Sequence, residues 1–176
     1  MTADAPAPTW TRLPAPDADR RRAALVAAGV SHPDPFVLAM RVEAGALSDA
    51  VPHVSNVTYV AWLGETAAAH SAALGYTTSW YRNHDMMWFV ARHDIAYHAE
   101  CHAGDELWSM TWVEAMDRAR CRRLHRLLRP SDERLVCSAT SEWVLVQLSN
   151  RRPRRIPEEM AGAFTMKADD PCASQS

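Results

Sequence analysis

A carboxylate, an imidazole, an amide and a phenol fall in one short run, Asp49-Ala50-Val51-Pro52-His53-Val54-Ser55-Asn56-Val57-Thr58-Tyr59. The run leads from a loop into an alanine-rich stretch with helical spacing. A helix entry presents unpaired backbone N–H groups and a partial positive charge. Such a place can hold a carbonyl oxygen as it becomes an oxyanion. Asp49, a carboxylate four residues before His53, is a candidate for driving hydrolysis there. The bland alternative is a capped turn before a helix.

Composition bounds the rest. The chain has 176 residues, about the length of one domain, and 48% of them are hydrophobic, enough for a real core. A net charge of -2 argues against a general nucleic-acid binder. Lys167 is the only lysine, so the basic side chains are arginines, which suit bidentate contact with phosphate. Compositional bias explains the same fact. Cys101, Cys121, Cys137 and Cys172 form no CxxC pair and no dense disulfide framework. The start, Met1-Thr2-Ala3-Asp4, lacks a secretory pattern, and no apolar run is long enough to span a bilayer. A cytoplasmic protein, with neither a membrane nor nucleic acid as partner, is the expectation.

The elements that must position the run follow from periodicity. Residues 1–16 read as a loose arm and Asp17 to Ala28 as a short helix ended by Gly29, with Arg20-Arg21-Arg22 on a solvated face. Together, residues 1–30 form an arm before the main domain. Phe36 to Val42 reads as a strand and Glu43 to Pro52 as a loop, with Val51 held extended by Pro52. Ser55 is the expected N-cap, with Asn56 the alternative. From Asn56 to Leu74 the period is 3.6, with Asn56, Tyr59, Val60, Leu63, Ala67, His70 and Leu74 on one side and Gly75 as the stop. The period then changes to two over Met87 to Tyr97, Glu106 to Met116, Ala119 to Leu128 and Leu135 to Leu148. Short connections predict an antiparallel meander, and Pro157-Glu158-Glu159 starts a short terminal helix. A five-stranded sheet must hide one face, and the alanine-rich helix is the element able to cover it. The expected fold is α+β, a domain over 31–164 followed by a disordered tail over 165–176.

These residues resemble the hotdog-fold acyl-CoA thioesterases on the 4-hydroxybenzoyl-CoA thioesterase side. That family carries Asp-x-x-Gly-His-Val-Asn-Asn-x-x-Tyr where this chain has Asp49 to Tyr59. Trp62, Leu63 and Glu65, the turn Ala103-Gly104-Asp105-Glu106-Leu107, the strand Ser141-Glu142-Trp143-Val144-Leu145-Val146 and the exit Arg152-Pro153-Arg154-Arg155-Ile156-Pro157 resemble later family segments in order. The resemblance covers about residues 36 to 164 and implies an antiparallel five-stranded sheet wrapped around one long helix. Pro52 replaces the family's glycine and Ser55 its first asparagine. Proline removes one N–H, so the oxyanion role would shift to the amides around Val54 or Ser55.

The resemblance implies hydrolysis of an acyl-CoA or acyl-carrier-protein thioester to a free acid and a thiol, with no cofactor beyond the coenzyme A of the substrate. It implies Asp49 as nucleophile or general base. His53 either orients water or the thioester oxygen, or buttresses the loop. Asn56 braces the loop across a dimer or caps the helix, and Tyr59 lines an acyl tunnel or simply packs. Glu65 meets the neighbouring subunit's site or faces solvent. Arg152 and Arg154, or the run Arg118 to Arg129, suit the coenzyme's phosphates or a carrier protein; a solvated sheet face is the alternative. A homodimer or homotetramer is expected. His84, His93, His98 and His102 match no zinc spacing, so no metal is expected. Met86, Met87, Trp88, Phe89, Trp108, Met110 and Trp112 suit the walls of an apolar pocket for an aryl or short branched acyl group, or an ordinary core. A hotdog-fold dehydratase and a non-catalytic acyl-thioester-binding protein are the competing readings.

Overall fold

In chain order the computed structural model, which describes residues 9–165, runs β1 (Trp10–Arg12), α1 (Ala18–Ala27), β2 (Phe36–Val42), a 3₁₀ turn at Ala44–Ala46, α2 (Asn56–Ala73), α3 (Thr78–Asn83), β3 (Met86–Tyr97), β4 (Glu106–Asp117), β5 (Arg120–Arg129), β6 (Arg134–Gln147) and α4 (Glu158–Thr165). The expected tail after Thr165 lies outside the described residues. Helix α2 begins where its cap predicts. Ser55 is extended, and its hydroxyl accepts the Val57 N–H at 3.2 Å. The helix ends at Gly75, whose φ of 90° lets the Tyr76 N–H turn back to the Ser71 carbonyl at 2.9 Å.

The buried side of α2 is Thr58, Tyr59, Trp62, Leu63, Thr66, Ala67 and Ser71. Val60 and Leu74, placed on that side by the apolar pattern, are instead exposed. Trp62 is the larger apolar group to hide, and the polar Thr66 beside it is satisfied locally. Its hydroxyl donates to the Trp62 carbonyl at 2.8 Å and pairs with Ser109 Oγ on β4 at 2.8 Å. Such a side chain costs nothing to bury once both partners are in place.

The sheet has six strands in the order β1-β2-β4-β5-β6-β3, all antiparallel, one more than expected. The sixth is β1, formed by residues read as a loose arm, which pairs Trp10 with Val42. The meander holds only for β4-β5-β6. Strand β3 does not lie beside β4; it pairs with β6 along its length, from Met86↔Gln147 to Tyr97↔Cys137. Periodicity identifies strands but not their neighbours. Tight turns at Asp117–Arg120 and Arg129–Arg134 force adjacency, whereas the segment 98–105 is long enough to cross to another strand.

The sheet curls around α2, and its central strand is covered on both faces. On β4, Leu107 joins the core under α2 with Leu38, Met40, Tyr59, Trp62 and Leu63. The alternate residues Trp108 and Met110 pack with Ala24 and Ala28 at the α1 side. A second cover by α1 is why β4 reads as a near-continuous apolar run. Arg20 lies over the Trp108 ring at 5.1 Å and Arg21 pairs with Asp34, so the Arg20–Arg22 run is partly engaged rather than wholly solvated. The residues expected to line one pocket are split, with Trp108 and Met110 under α1 and Met87 and Trp88 beside the C-terminal half of α2. Cys101, Cys121 and Cys137 are free and buried.

Two histidines, one in the core and one half-buried on α2, are held neutral. His125 on β5 has no exposed surface, and neither ring nitrogen has a partner among the described residues. Burial, reinforced by Arg123, lowers its affinity for a proton well below the ordinary range. Burial and the nearby Arg123 bring His70 down to about 3. Below the ordinary pKa of about 6.5, the unfolded chain binds protons that the folded chain refuses. Stability is therefore full above that pH and falls as pH drops toward the folded values. A His125→Leu variant should keep or raise the urea midpoint at neutral pH and show a shallower decline on acidification. A lower neutral midpoint with an unchanged acid slope would show that His125 makes an interaction the structure lacks.

Candidate active site

The N-terminal end of α2 opens on a cavity of about 450 Å³. Its walls include Ser48, His53, Val54, Ser55, Asn56 and Tyr59 from the loop and helix, and Tyr97, His98, Ala99 and Glu100 from the end of β3 and its exit loop. The segment before α2 is pinned at its base. Leu47 and Val54 form an antiparallel bridge, and the Ser48 N–H donates to the His53 carbonyl at 2.9 Å. The His53 N–H donates to Val51 at 2.8 Å, a tight turn centred on Pro52, whose fixed φ suits it.

The same pinning moves the expected donor. The Val54 N–H donates to the Cys101 carbonyl at 2.8 Å and the Ser55 N–H to Ala46 at 3.0 Å. Both amides are engaged, so neither is the free oxyanion donor expected around Val54 or Ser55. The Thr58 N–H turns back to Ser55 at 3.0 Å, and Ser55 Oγ takes the Val57 N–H. Among the described residues, the Asn56 N–H makes no hydrogen bond, and Asn56 lies on the cavity wall. The first helical amide is thus the available donor at this end of the macrodipole.

His53 Nδ1 lies 3.1 Å from the Val54 carbonyl. A carbonyl only accepts, so Nδ1 carries the proton and Nε2 is left as an acceptor for water or a substrate proton. Tyr59 is 4% exposed, edge-on to Trp62 and Tyr97 at centroid distances of 5.5 and 5.3 Å. Burial, with the Cys101 thiol beside it, pushes its phenol far above the ordinary value, so it stays neutral. Burial pushes the thiols behind it up as well, Cys101 to about 11 and Cys137 to about 12, and both stay protonated and inert.

The remaining expected site residues are distributed differently. Asp49 is exposed, one residue from Ser48 at the cavity edge, and makes no side-chain hydrogen bond or ion pair among the described residues. Glu65 does not join the cavity; its carboxylate accepts the indole N–H of Trp10 on β1. Nine residues of helix separate it from Asn56, about half a turn out of phase. Arg154 donates to the His84 carbonyl at 2.9 Å, and the Arg152 N–H donates to Asn150. Both lie beyond β6 near the Met86 end of β3, whereas the cavity lies at its Tyr97 end, about 36 Å away along the strand. Among the described residues, no three His, Cys, Asp or Glu side chains converge as metal ligands, and no helix is long and apolar enough to cross a membrane.

Arg129 was visible only as one of a crowd of arginines. In the structure it donates to the Glu100 carbonyl at 2.8 Å, to Asp105 at 3.1 Å and to both oxygens of Asp132. Asp105 in turn accepts the His102 N–H at 3.0 Å. One guanidinium therefore holds the loop that forms the second wall of the cavity. The signal in the sequence was the acidic pair Asp105 and Asp132 around a turn arginine, legible only once the turns are placed.

Residues 42–164 match the model of the family described as the thioesterase-like superfamily. The chain belongs to this superfamily. The match starts in β2 and ends in α4, so it spans both walls of the cavity. A 1,4-dihydroxy-2-naphthoyl-CoA thioesterase from Synechocystis superposes with a TM-score of 0.68 at 15% identity, over 74% of this chain and 96% of that one. A Staphylococcus aureus protein solved in complex with CoA gives 0.69 at 15%, over 76% and 84%. A candidate oleoyl thioesterase from Lactobacillus plantarum gives 0.70 at 18%, covering 78% of this chain, which spans about half (52%) of the length of that protein. At such identities these likenesses speak for the fold, and it is the hotdog fold of the superfamily. No curated protein matches the sequence significantly.

Replacing Arg129 with methionine should free the loop from Glu100 to Asp105. Loss of charge-assisted bonds to the half-buried Asp105 and the exposed Asp132 should cost about 1 kcal/mol in urea unfolding, since solvent screens the exposed pair. Amide exchange at His102 should quicken beyond the change in global stability. Uniform quickening across the chain would mean that Arg129 supports the fold rather than this wall.

Proposed function

We propose that this member of the thioesterase-like superfamily hydrolyses an acyl-CoA or acyl-carrier-protein thioester to a free carboxylic acid and a thiol at the N-terminal end of α2. The observation that carries the reading is the unpaired Asn56 N–H, opening beside His53 on a cavity walled by Tyr59 and Tyr97. In this reading the Asn56 amide and the helix dipole stabilise the thioester oxygen as it becomes an oxyanion. Asp49, the exposed neighbour of the wall residue Ser48, attacks the acyl carbon directly or takes a proton from water that does so. An acyl group laid over the loop would shield this exposed carboxylate and strengthen it as a base. His53 Nε2 orients the water. The tetrahedral intermediate collapses with cleavage of the carbon–sulfur bond, and the sulfur leaves as thiolate and takes up a proton. On the water route this releases the free acid at once; on the direct route it leaves an acyl–Asp49 anhydride, which a water then cleaves to release the acid and restore Asp49, and neither route requires a cofactor.

The distance to Arg152 and Arg154 gives the dimer a role in this reading. Strand β3 is the sheet edge, and Phe89, Val90 and Tyr97 on it are exposed. A bare edge of twelve residues is a template for pairing. Antiparallel pairing of two copies through β3 would bring the Met86 end of one beside the Tyr97 end of the other. Arg152 and Arg154 of a second copy would then flank the cavity, where the coenzyme's phosphates enter.

Asp49→Asn should lower kcat for an aryl- or acyl-CoA panel by about 10²-fold or more, with KM and thermal midpoint nearly unchanged, as read by free-thiol release. Unchanged turnover would remove Asp49 from the chemistry. Thioester binding without turnover by the wild-type chain would favour the non-catalytic acyl-binding reading. Val90→Lys should give a monomer by sedimentation velocity. Arg154→Ala should raise KM for coenzyme A esters but not for the matching pantetheine esters. A KM rise for both esters would place Arg154 in support of the fold rather than on the phosphates.

A further inference from the structure

The C-terminal half of α2 borders a second and larger cavity, about 590 Å³, that shares no wall residue with the first. Ala67 and Ala68 of α2 form one side, and Met87, Trp88 and Trp143 of the sheet with Phe164 of α4 form others. Exposed small residues, among them Ala72 and Thr78, surround its mouth. Arg123 of β5 lies on this largely apolar wall, although it is only 5% exposed.

The partners of Arg123 are all neutral. Nη1 donates to His70 Nδ1 at 2.9 Å and to Thr111 Oγ1 at 3.3 Å, and the guanidinium faces the Phe164 ring at 5.6 Å. Nε and Nη2 make no hydrogen bond among the described residues, and no carboxylate there comes within ion-pair distance. The titratable groups that act on the guanidinium among the described residues, Cys121 and Tyr81, carry no negative charge; Glu159 of α4 acts on Tyr76 and makes no ion pair with Arg123. Burial holds Cys121 at about 11, and the phenols of Tyr81 and Tyr76 are also raised by burial. His70, accepting from the arginine, is the neutral imidazole. Arginine does not escape by losing its proton. Among the described residues, a full cation thus lies buried on the wall of an apolar cavity with donors left over and no counter-charge. Such a charge is costly unless paired, and a guanidinium pairs best with a planar carboxylate.

We propose that this cavity is a second ligand site that takes an apolar-tailed monocarboxylate, its carboxylate on the free donors of Arg123 and its tail against Trp88, Trp143 and Phe164. One cation on one apolar pocket fits one anionic head and one tail. The site is independent of the thioester reading. The ends of the two cavities nearest each other on α2, Tyr59 and Gly64, are about 7.5 Å apart along the helix.

Decanoate and its neutral counterpart decan-1-ol are the probes, titrated into the full-length chain by calorimetry and by quenching of tryptophan fluorescence. Decanoate should bind at one site per chain, at least about tenfold more tightly than decanol, since one charge-assisted bidentate pair separates them. Arg123→Met should remove that preference while leaving decanol binding in place. Ala72→Trp, at the exposed mouth, should weaken both probes without lowering the thermal midpoint, which keeps the test valid if Arg123→Met folds poorly. Equal binding of the two probes, or decanoate binding unchanged in both variants, would overturn the site. Binding seen only after removal of residues 166–176 would also overturn it, by showing that Asp169 or Asp170 of the chain itself occupies the guanidinium.

Discussion

The enclosure of α2 by a curled sheet is the constraint on which the other features depend. A helix of 18 residues, about 27 Å long, runs through the concave side of the sheet. On its buried face the small Thr66 and Ala67, with the Thr66–Ser109 hydroxyl pair, tie it to β4. Once the helix is held in this way, its two ends meet different chemistry. The N-terminal end keeps one free amide and opens between two loops. The C-terminal end opens between α3, α4 and the sheet, beside a buried arginine. One packing decision therefore creates two cavities with different linings.

Backbone hydrogen bonding decides which groups at the first cavity are available. The loop from Leu47 to Val54 is closed by its own bridge, and the amides of Val54 and Ser55 hold it to Cys101 and Ala46. Those bonds stiffen the loop and withdraw two amides from chemistry. They leave the Asn56 amide unpaired among the described residues and tie His53 through Nδ1 to the Val54 carbonyl. Pro52, which lacks an N–H, occupies a turn closed by its neighbours, the His53 N–H on the Val51 carbonyl. Arg129 does the corresponding work for the opposite wall through the Glu100 carbonyl and two aspartates.

Much of the fold was legible because its signals are local. The Ser55 cap, the Gly75 stop, the period-two strands and the final helix lie within a residue or two of where caps and periodicity put them. The strand from Trp10 to Arg12 was not legible, because three residues beside prolines acquire strand character only by pairing with β2. Nor was the place of β3. Nothing in its alternation tells whether Met87 to Tyr97 will pair with β4 or with the last strand. The covered side of α2 was also misjudged at Val60 and Leu74, where the size of Trp62 and the hydrogen bonds of Thr66 outweigh apolar character.

The same division holds for function. The sequence by itself determined the family, the hotdog architecture and the segment carrying the candidate chemistry, because an ordered series of short motifs and the cap of one helix are properties of neighbouring residues. Tertiary structure alone decided which amide at the start of α2 is unpaired among the described residues, that Glu65 is engaged by Trp10, that Arg152 and Arg154 lie at the far end of the sheet, and that Arg123 is buried with no counter-ion among the described residues. Each of these depends on partners distant in the chain. Hydrogen-bond satisfaction and burial are set by what folding brings alongside, and residue spacing carries no record of it.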